Sequence, residues 1–314
     1  MTLRSMGVSA GAIVWRPSYR RRPMTDTFDL SRYFARIGYD GPVAPTLDVL
    51  RRIHLLHPQA IPFENLNPLT GARVALDVPS VVAKVVERRR GGYCFELNKL
   101  FYTALTRVGF RVTPLIARVR WMRAPDDVTA QTHMLLRVDL DGDAWFADIG
   151  FGSATLTAPL RYAPGERQLT PHGAFRVIDA PVDGELDMQC ETPDGWQTTY
   201  RFSLKRAEWI DYEAANWFTS TYPDSIFVND LIACRVLPEG RAALFNTTLT
   251  LRDAAGAGSS QTFDDAAAWG ACLRETIGID TTGFDLDALF ARVAARGAVP
   301  GARGRAMEGE AAER

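Results

Sequence analysis

Between Met24 and Gly109 the apolar residues recur every three or four positions; from Val112 onward they alternate or gather in short runs. The first pattern belongs to helices with one buried face and the second to strands. Phe28, Leu30, Tyr33, Phe34 and Ile37 predict a short helix ending near Gly38. Leu47, Leu50, Ile53 and Leu56 predict another, with Thr46 as its cap. Ile61-Pro62-Phe63-Glu64-Asn65-Leu66 reads as a turn-rich stretch. Pro79-Ser80 opens a further helix through Val81, Val82, Val85 and Val86, which stops at Arg88-Arg89-Arg90-Gly91. After Gly91-Gly92-Tyr93 a last helix carries Cys94, Leu97, Leu100, Phe101, Ala104 and Val108 and ends near Gly109.

The strand region begins with Val112 to Trp121, followed by a polar loop over 122–131 that includes Asp126-Asp127. Met134 to Leu140 and Asp143 to Ile149 flank Asp141-Gly142, a pair suited to a two-residue hairpin turn. Phe175–Ile178, Leu186–Cys190 and Gln197–Leu204 follow with Gly and Pro between them and no helix, the order of an antiparallel sheet or small barrel. Helical spacing returns at Glu208 to Phe218. Strands are predicted at Leu231–Val236, Ala243–Phe245 and Thr248–Leu251, a loop at Ala254 to Ser260, and helices near Asp264–Thr276 and Asp285–Ala295. The fold class is therefore α+β.

Composition narrows the functions. The 314 residues are 46% hydrophobic and 23% charged with a formal net charge of −1, so no overall field points to nucleic acid or an anionic membrane. No apolar run approaches the ~20 residues of a membrane span. The four cysteines, Cys94, Cys190, Cys234 and Cys272, are far apart and form no C-x-x-C, which suggests neither a metal site nor a disulfide framework and points to the cytoplasm. Near the start, the apolar run around Val8 to Trp15 has only Arg4 before it and most of its charge after it, the wrong order for a secretory signal. Residues 1–24 are expected to be a disordered extension, and 297–314, rich in Gly, Ala and charge, a flexible tail.

Chemistry concentrates at Arg88-Arg89-Arg90-Gly91-Gly92-Tyr93-Cys94. A cysteine in the first turn of a helix meets unpaired N–H groups and the positive end of the dipole, which can lower a thiol pKa from ~8.5 into the range ~3.5–7.5. Taken alone it is more often a buried structural cysteine. The hairpin supplies it with partners. A two-residue loop at Asp141-Gly142 makes Leu140 face Asp143, Val138 face Trp145 and Leu135 face Asp148. His133, two residues from Leu135, then lies on the face of Asp148 and diagonal to it. Cysteine, histidine and aspartate in this arrangement form a nucleophile–base–orienter set. Acyl transfer, proteolysis and transglutamination would all use it.

The stretch Arg90-Gly91-Gly92-Tyr93-Cys94-Phe95-Glu96-Leu97-Asn98 resembles the cysteine motif of the arylamine N-acetyltransferases. Thr132-His133-Met134-Leu135-Leu136-Arg137-Val138 is similar to their histidine strand, and Trp145-Phe146-Ala147-Asp148-Ile149-Gly150-Phe151-Gly152 to their aspartate motif. Ile61 to Leu66 and Asn216 to Phe227 resemble two further family segments, in the same order. The resemblance covers roughly residues 25–295. It implies a helical domain at 25–111 carrying the nucleophile, an antiparallel β-barrel at 112–207 carrying His133 and Asp148, and an α/β lid at 208–296, around a core like that of cysteine proteases and transglutaminases.

The same resemblance implies ping-pong transfer of acetyl from acetyl-CoA, a co-substrate and not a tightly bound cofactor, through Cys94 to an arylamine, an arylhydrazine or the oxygen of an arylhydroxylamine. Phe63, Phe151 and Phe227 fall where family members have aromatics near the acceptor, and Thr129, Gly150 and Gly152 where they approach CoA. No metal, nucleic acid or membrane is expected as a partner, and a homodimer is a candidate assembly. An amide synthase of the same fold carrying a polyketide chain, a cysteine hydrolase and a binding module with an inert triad are the alternatives.

Overall fold

A computed structural model describes residues 28–124, 127–253 and 256–297. The expected N-terminal extension, Asp126 of the polar loop and the tail beyond Gly297 lie outside the described residues. Helix α1, Leu30–Ile37, is capped by Asp29, whose carboxylate accepts from the N–H groups of Ser31 and Arg32, and it ends where Gly38 turns left-handed at φ 72°. Helix α2, Leu47–Ala60, has the expected Thr46 cap. After the two-residue strand β1, Phe63–Glu64, comes the single turn α3, Leu66–Leu69. Helix α4, Val78–Val81, starts at an Asp77 cap and runs on as a π-helical turn, Val82–Glu87. Helix α5, Cys94–Val108, stops at Gly109, φ 108°. It is buried over most of its length: Phe95, Leu97, Leu100, Phe101, Ala104 and Leu105 are all fully buried, so it forms the axis of the helical region.

The larger sheet has eight antiparallel strands: β2 (Arg111–Val119), β3 (Gln131–Leu140), β4 (Asp143–Ala147), β5 (Leu160–Arg161), β6 (Gln168–Thr170), β7 (Gly173–Asp179), β8 (Glu185–Thr192) and β9 (Gly195–Ser203), in the order β5-β4-β3-β2-β9-β8-β7-β6. The β3–β4 register pairs Leu140 with Asp143 and Val138 with Trp145, as the turn requires, and Asp141 and Gly142 both have positive φ, 53° and 88°. One face holds Leu115, Leu135, Phe146, Phe175, Met188 and Phe202 as the barrel core; the other presents Met134, Leu136 and Val138 to the helical core. The ends of the sheet meet at a seam bridged by the Gln168 side chain. The Gln168 amide accepts from Arg161 N at 2.8 Å and donates to Arg161 O at 2.9 Å, copying a strand pair.

Helices α6 (Trp209–Thr221) and α7 (Ile226–Asn229) lead to β10 (Ile232–Leu237), β11 (Gly240–Phe245), β12 (Thr248–Asp253) and β13 (Gly258–Thr262). Helix α8 (Ala266–Ala271, continuing as a π-helical turn, Cys272–Ile277) and α9 (Leu286–Ala294) follow. The smaller sheet runs β1-β10-β11-β12-β13. Two expectations need correction here. The stretch Ala254 to Ser260 is not all loop, because Gly258 onward forms β13. All five β13 residues are exposed and most are small, so no apolar alternation marked them; hydroxyl pairs Thr248–Thr262 and Thr250–Ser260, each 3.1 Å, tie them to β12. The turn-rich stretch at Ile61 to Leu66 supplies an edge strand to that same sheet, with Phe63 opposite Cys234.

Candidate active site

The turn that carries Cys94 is built on buried charge. Glu64 and Glu96, both fully buried, are bridged by Lys84, at 2.8 Å from Glu96 and 3.6 Å from Glu64, while Arg90 grips Glu64 at 2.6 and 3.0 Å. Burial works against both carboxylates. Lys84 and Arg90 overcome it at Glu64, whose pKa is lowered, but Glu96 stays raised. Glu96, at the third helical position, reaches back to accept from Tyr93 N at 3.2 Å and fixes the start of α5. Of the arginine run, Arg90 is thus engaged structurally and also lies over the Phe284 ring.

The two glycines serve the chain itself. A Cβ on Gly91 would sit 2.1 Å from Pro62 O, and one on Gly92 2.8 Å from Glu96 Oε2. Their bareness lets the turn lie against β1, where Glu64 N donates to Gly92 O at 2.9 Å.

His133 lies near the start of β3 and Asp148 one residue past the end of β4. His133 Nε2 is 2.7 Å from Asp148 Oδ2, with the histidine nearly and the aspartate fully buried. The other ring nitrogen is left for Cys94, whose thiol interacts with the His133 ring and also points to Thr132 O at 3.6 Å. Asp148 accepts on its second oxygen from Asn98 Nδ2 and Gly150 N, both 2.9 Å. Burial opposes charge on His133, yet the Asp148 carboxylate and Cys94 outweigh it and raise its pKa; burial likewise opposes charge on Asp148, and His133, Asn98 and Gly150 outweigh it and lower its pKa. The site therefore favours a charged imidazole beside an ionised carboxylate, so His133 can hold a proton taken from the thiol.

Of the expected aromatics, Phe151 touches this set and Phe63 and Phe227 pair with each other. The Phe151 ring stands edge-on to His133 at 5.1 Å, and Phe63 and Phe227 face each other at 6.2 Å. Gly152 is within contact of Phe63, since a Cβ there would be 3.7 Å from that ring. Gly150 is buried against α5: a Cβ on it would be 2.9 Å from both Cys94 Cα and Asn98 Nδ2. Thr129 is half-buried before β3, its hydroxyl donating to Val119 O at 2.8 Å and its carbonyl accepting from Arg118 at 2.5 Å.

The N-acetyltransferase family model matches residues 46–293. An arylamine N-acetyltransferase of Escherichia coli is 38% identical over 271 residues, 85% of this chain and 95% of the relative. The chain belongs to the arylamine N-acetyltransferase family. A Salmonella typhimurium relative, an arylamine N-acetyltransferase / N-hydroxyarylamine O-acetyltransferase, is 41% identical over 67% of this chain and 74% of its own length. The structure of the Mycobacterium marinum arylamine N-acetyltransferase in complex with CoA superposes with a TM-score of 0.80 at 38% identity, covering 84% of this chain and 98% of that one. The α+β architecture is the one expected of the family.

Several residues of the site went unassigned in the sequence. Asn98 lies four residues after Cys94, hence on the same helix face, and that spacing could have marked it. It donates to Met134 O at 2.6 Å as well as to Asp148. Tyr200, on β9, packs 4.7 Å from the His133 ring, and nothing local to the triad motifs signals it. Among the described residues no group of three or more His, Cys, Asp and Glu is arranged to hold a metal, and no helix is long and apolar enough to cross a membrane.

Proposed function

We propose that this chain transfers acetyl from acetyl-CoA to the nitrogen of arylamines and arylhydrazines through an acetyl-Cys94 thioester, and to the oxygen of arylhydroxylamines by the same route. The observation that carries the reading is the Cys94–His133–Asp148 arrangement, with a 2.7 Å His133–Asp148 contact sealed from water. His133 takes the Cys94 proton and the sulfur attacks the acetyl carbonyl. The carbon–sulfur bond to CoA breaks, and the departing CoA thiolate takes the proton from His133. The amine nitrogen then attacks the thioester, His133 removes its proton, and Cys94 leaves as thiolate to restore the starting state. An arylamine is a weak base that is neutral near pH 7, and a thiolate is a good leaving group, so the second half needs little activation. The Cys94 N–H, in the first helical turn where no intrahelical acceptor exists, is placed to support the tetrahedral oxyanion.

Phe63, Phe151 and Phe227 form the acceptor side in this reading. The Salmonella relative's name supports the oxygen acceptors, and the CoA complex of the Mycobacterium marinum enzyme supports the donor. Thr129 and Gly152 remain the proposed neighbours of CoA. Gly150 contributes by letting the loop after β4 close onto Cys94. The test is mass spectrometry of the native chain and of Cys94→Ser after mixing with acetyl-CoA, followed by an aromatic amine. An acetyl adduct on Cys94 that the amine discharges is expected. Undiminished acetyl transfer by Cys94→Ser would sink the mechanism, and no adduct with acetyl-CoA would point to another acyl donor or to hydrolysis.

A further inference from the structure

The sheet does not hold Asp148. The last β3–β4 pair is Leu136 with Ala147, so the Asp148 peptide lies past the ladder and needs other partners. Its carbonyl accepts from Thr155 Oγ1 at 3.3 Å. Its N–H donates to Nε2 of His54, a fully buried residue on α2, at 3.2 Å. A ring nitrogen that accepts from a peptide N–H carries no proton, so Nε2 is the lone-pair end of His54 and its proton sits on Nδ1. The ring is set edge-on against Phe101 of α5 at 5.6 Å, which fixes its plane.

We propose that His54 is a positioning residue for acyl transfer: its Nε2 lone pair holds the Asp148 peptide and so aims the carboxylate at His133. The inference rests on the function proposed above. Three helical or loop elements then share one aspartate, with His54 of α2 on its N–H, Asn98 of α5 on its carboxylate and Thr155 on its carbonyl. A protonated Nε2 would set donor against donor and break the contact. Burial prevents this, holding His54 down to about pKa 3 against the pull of Asp148. The titratable groups facing His54 are Asp148 and, on its own helix, His57, which burial, Arg36 and His54 together keep neutral and whose Nδ1 is paired with Tyr33 at 2.9 Å.

The test compares His54→Leu, which removes the acceptor, with His54→Gln, which places an amide oxygen near the same point. The rate of Cys94 alkylation by iodoacetamide is followed against pH, and Cys94 acetylation by acetyl-CoA is followed by mass. For His54→Leu the expected results are acetylation slowed about tenfold, the equivalent of one lost hydrogen bond, an acetyl-CoA KM little changed, and an alkylation profile displaced to higher pH. His54→Gln should recover most of each loss. A folded His54→Leu with wild-type rate and profile, or a folded His54→Gln no better than it, overturns the proposal. Should both variants misfold, nitrogen NMR of the wild-type imidazoles decides, since a His54 ring that carries a proton on Nε2 or titrates near neutrality overturns it too. Failure of the wild type to take acetyl from acetyl-CoA would count against the proposed function while leaving the alkylation and NMR results to judge His54.

Discussion

Replacing Lys84 by methionine tests whether the buried charges hold the reactive turn. Lys84 is the sole described cation within salt-bridge reach of Glu96, at 2.8 Å, whereas Glu64 keeps Arg90 at 2.6 Å when Lys84 is gone. Lys84→Met therefore strands one carboxylate, Glu96, in a site with almost no exposure. Breaking a buried pair by removing one partner costs roughly 3–5 kcal/mol. Glu96 already has a raised pKa with Lys84 present, so the folded variant should bind a proton that the unfolded chain releases. A folded-state pKa above the unfolded value means that stability falls as pH rises between the two. Each pH unit in that window is worth about 1.4 kcal/mol, so lowering the pH from about 7 to about 5 should return up to about 2.7 kcal/mol of the loss. Urea titration of wild type and Lys84→Met at both pH values measures this, with the wild type cancelling other titrations. Adding Glu96→Gln should restore most of the stability at neutral pH. A loss under about 1 kcal/mol, or an equal loss at the two pH values, would refute the reasoning, because a buried unpaired carboxylate cannot be both cheap and pH-independent.

Three further outcomes are expected. Gly150→Ala puts a Cβ 2.9 Å from Cys94 Cα, so it should lower thermal stability by about 1–3 kcal/mol and kcat/KM more than tenfold; a wild-type Tm would show that the loop yields freely. Asn98→Leu takes the donor from Met134 O, leaves Asp148 Oδ1 with Gly150 N alone and strips Ile149 N of its acceptor, and should cost about 1–3 kcal/mol by urea titration. Asp148→Asn removes the larger part of what raises the His133 pKa, leaving Cys94. His133 should then lose its proton at lower pH by NMR, and the stability gap to wild type should be widest between about pH 4 and 6.5, above the ordinary Asp value and below the ordinary His value, narrowing as pH rises toward the raised His133 value. An unmoved His133 titration would exclude the carboxylate as its cause.

Local signals in the sequence were enough to put Cys94 in the first turn of a helix and His133 beside Asp148. Thr46, Gly38 and Gly109 bound their helices because caps and left-handed turns are chosen by single residues. Asp141-Gly142 fixed the hairpin register, and with it the shared face of His133 and Asp148. What escaped depends on distant partners. Phe63 and Glu64 have no strand pattern of their own and become β1 only because Cys234 and Ala233 lie opposite. Gly91-Gly92 carries no local sign of Pro62 and Glu96, the groups that fill the space a side chain would take. His54 sits on a helix face that reads as ordinary core, and its link to Asp148 spans 94 positions of chain.

The segment around Asn65 has a mechanical consequence. Asn65 Nδ2 donates to Phe227 O and Asp230 O at 2.8 and 2.7 Å, and its Oδ1 accepts from Ile232 N at 2.7 Å, while Phe63 is paired with Cys234 in the same sheet. Phe63 is thereby welded to the C-terminal part of the chain, although 162 positions separate Asn65 from Phe227. Any rocking of that part against the barrel would carry Phe63 and Phe227 together and leave their 6.2 Å separation intact. The gap that such a motion can widen is the one between this aromatic pair and Phe151, which rides on the barrel side with His133. Cutting the backbone in the link between β9 and α6 would likewise leave two fragments joined through a sheet that both of them build.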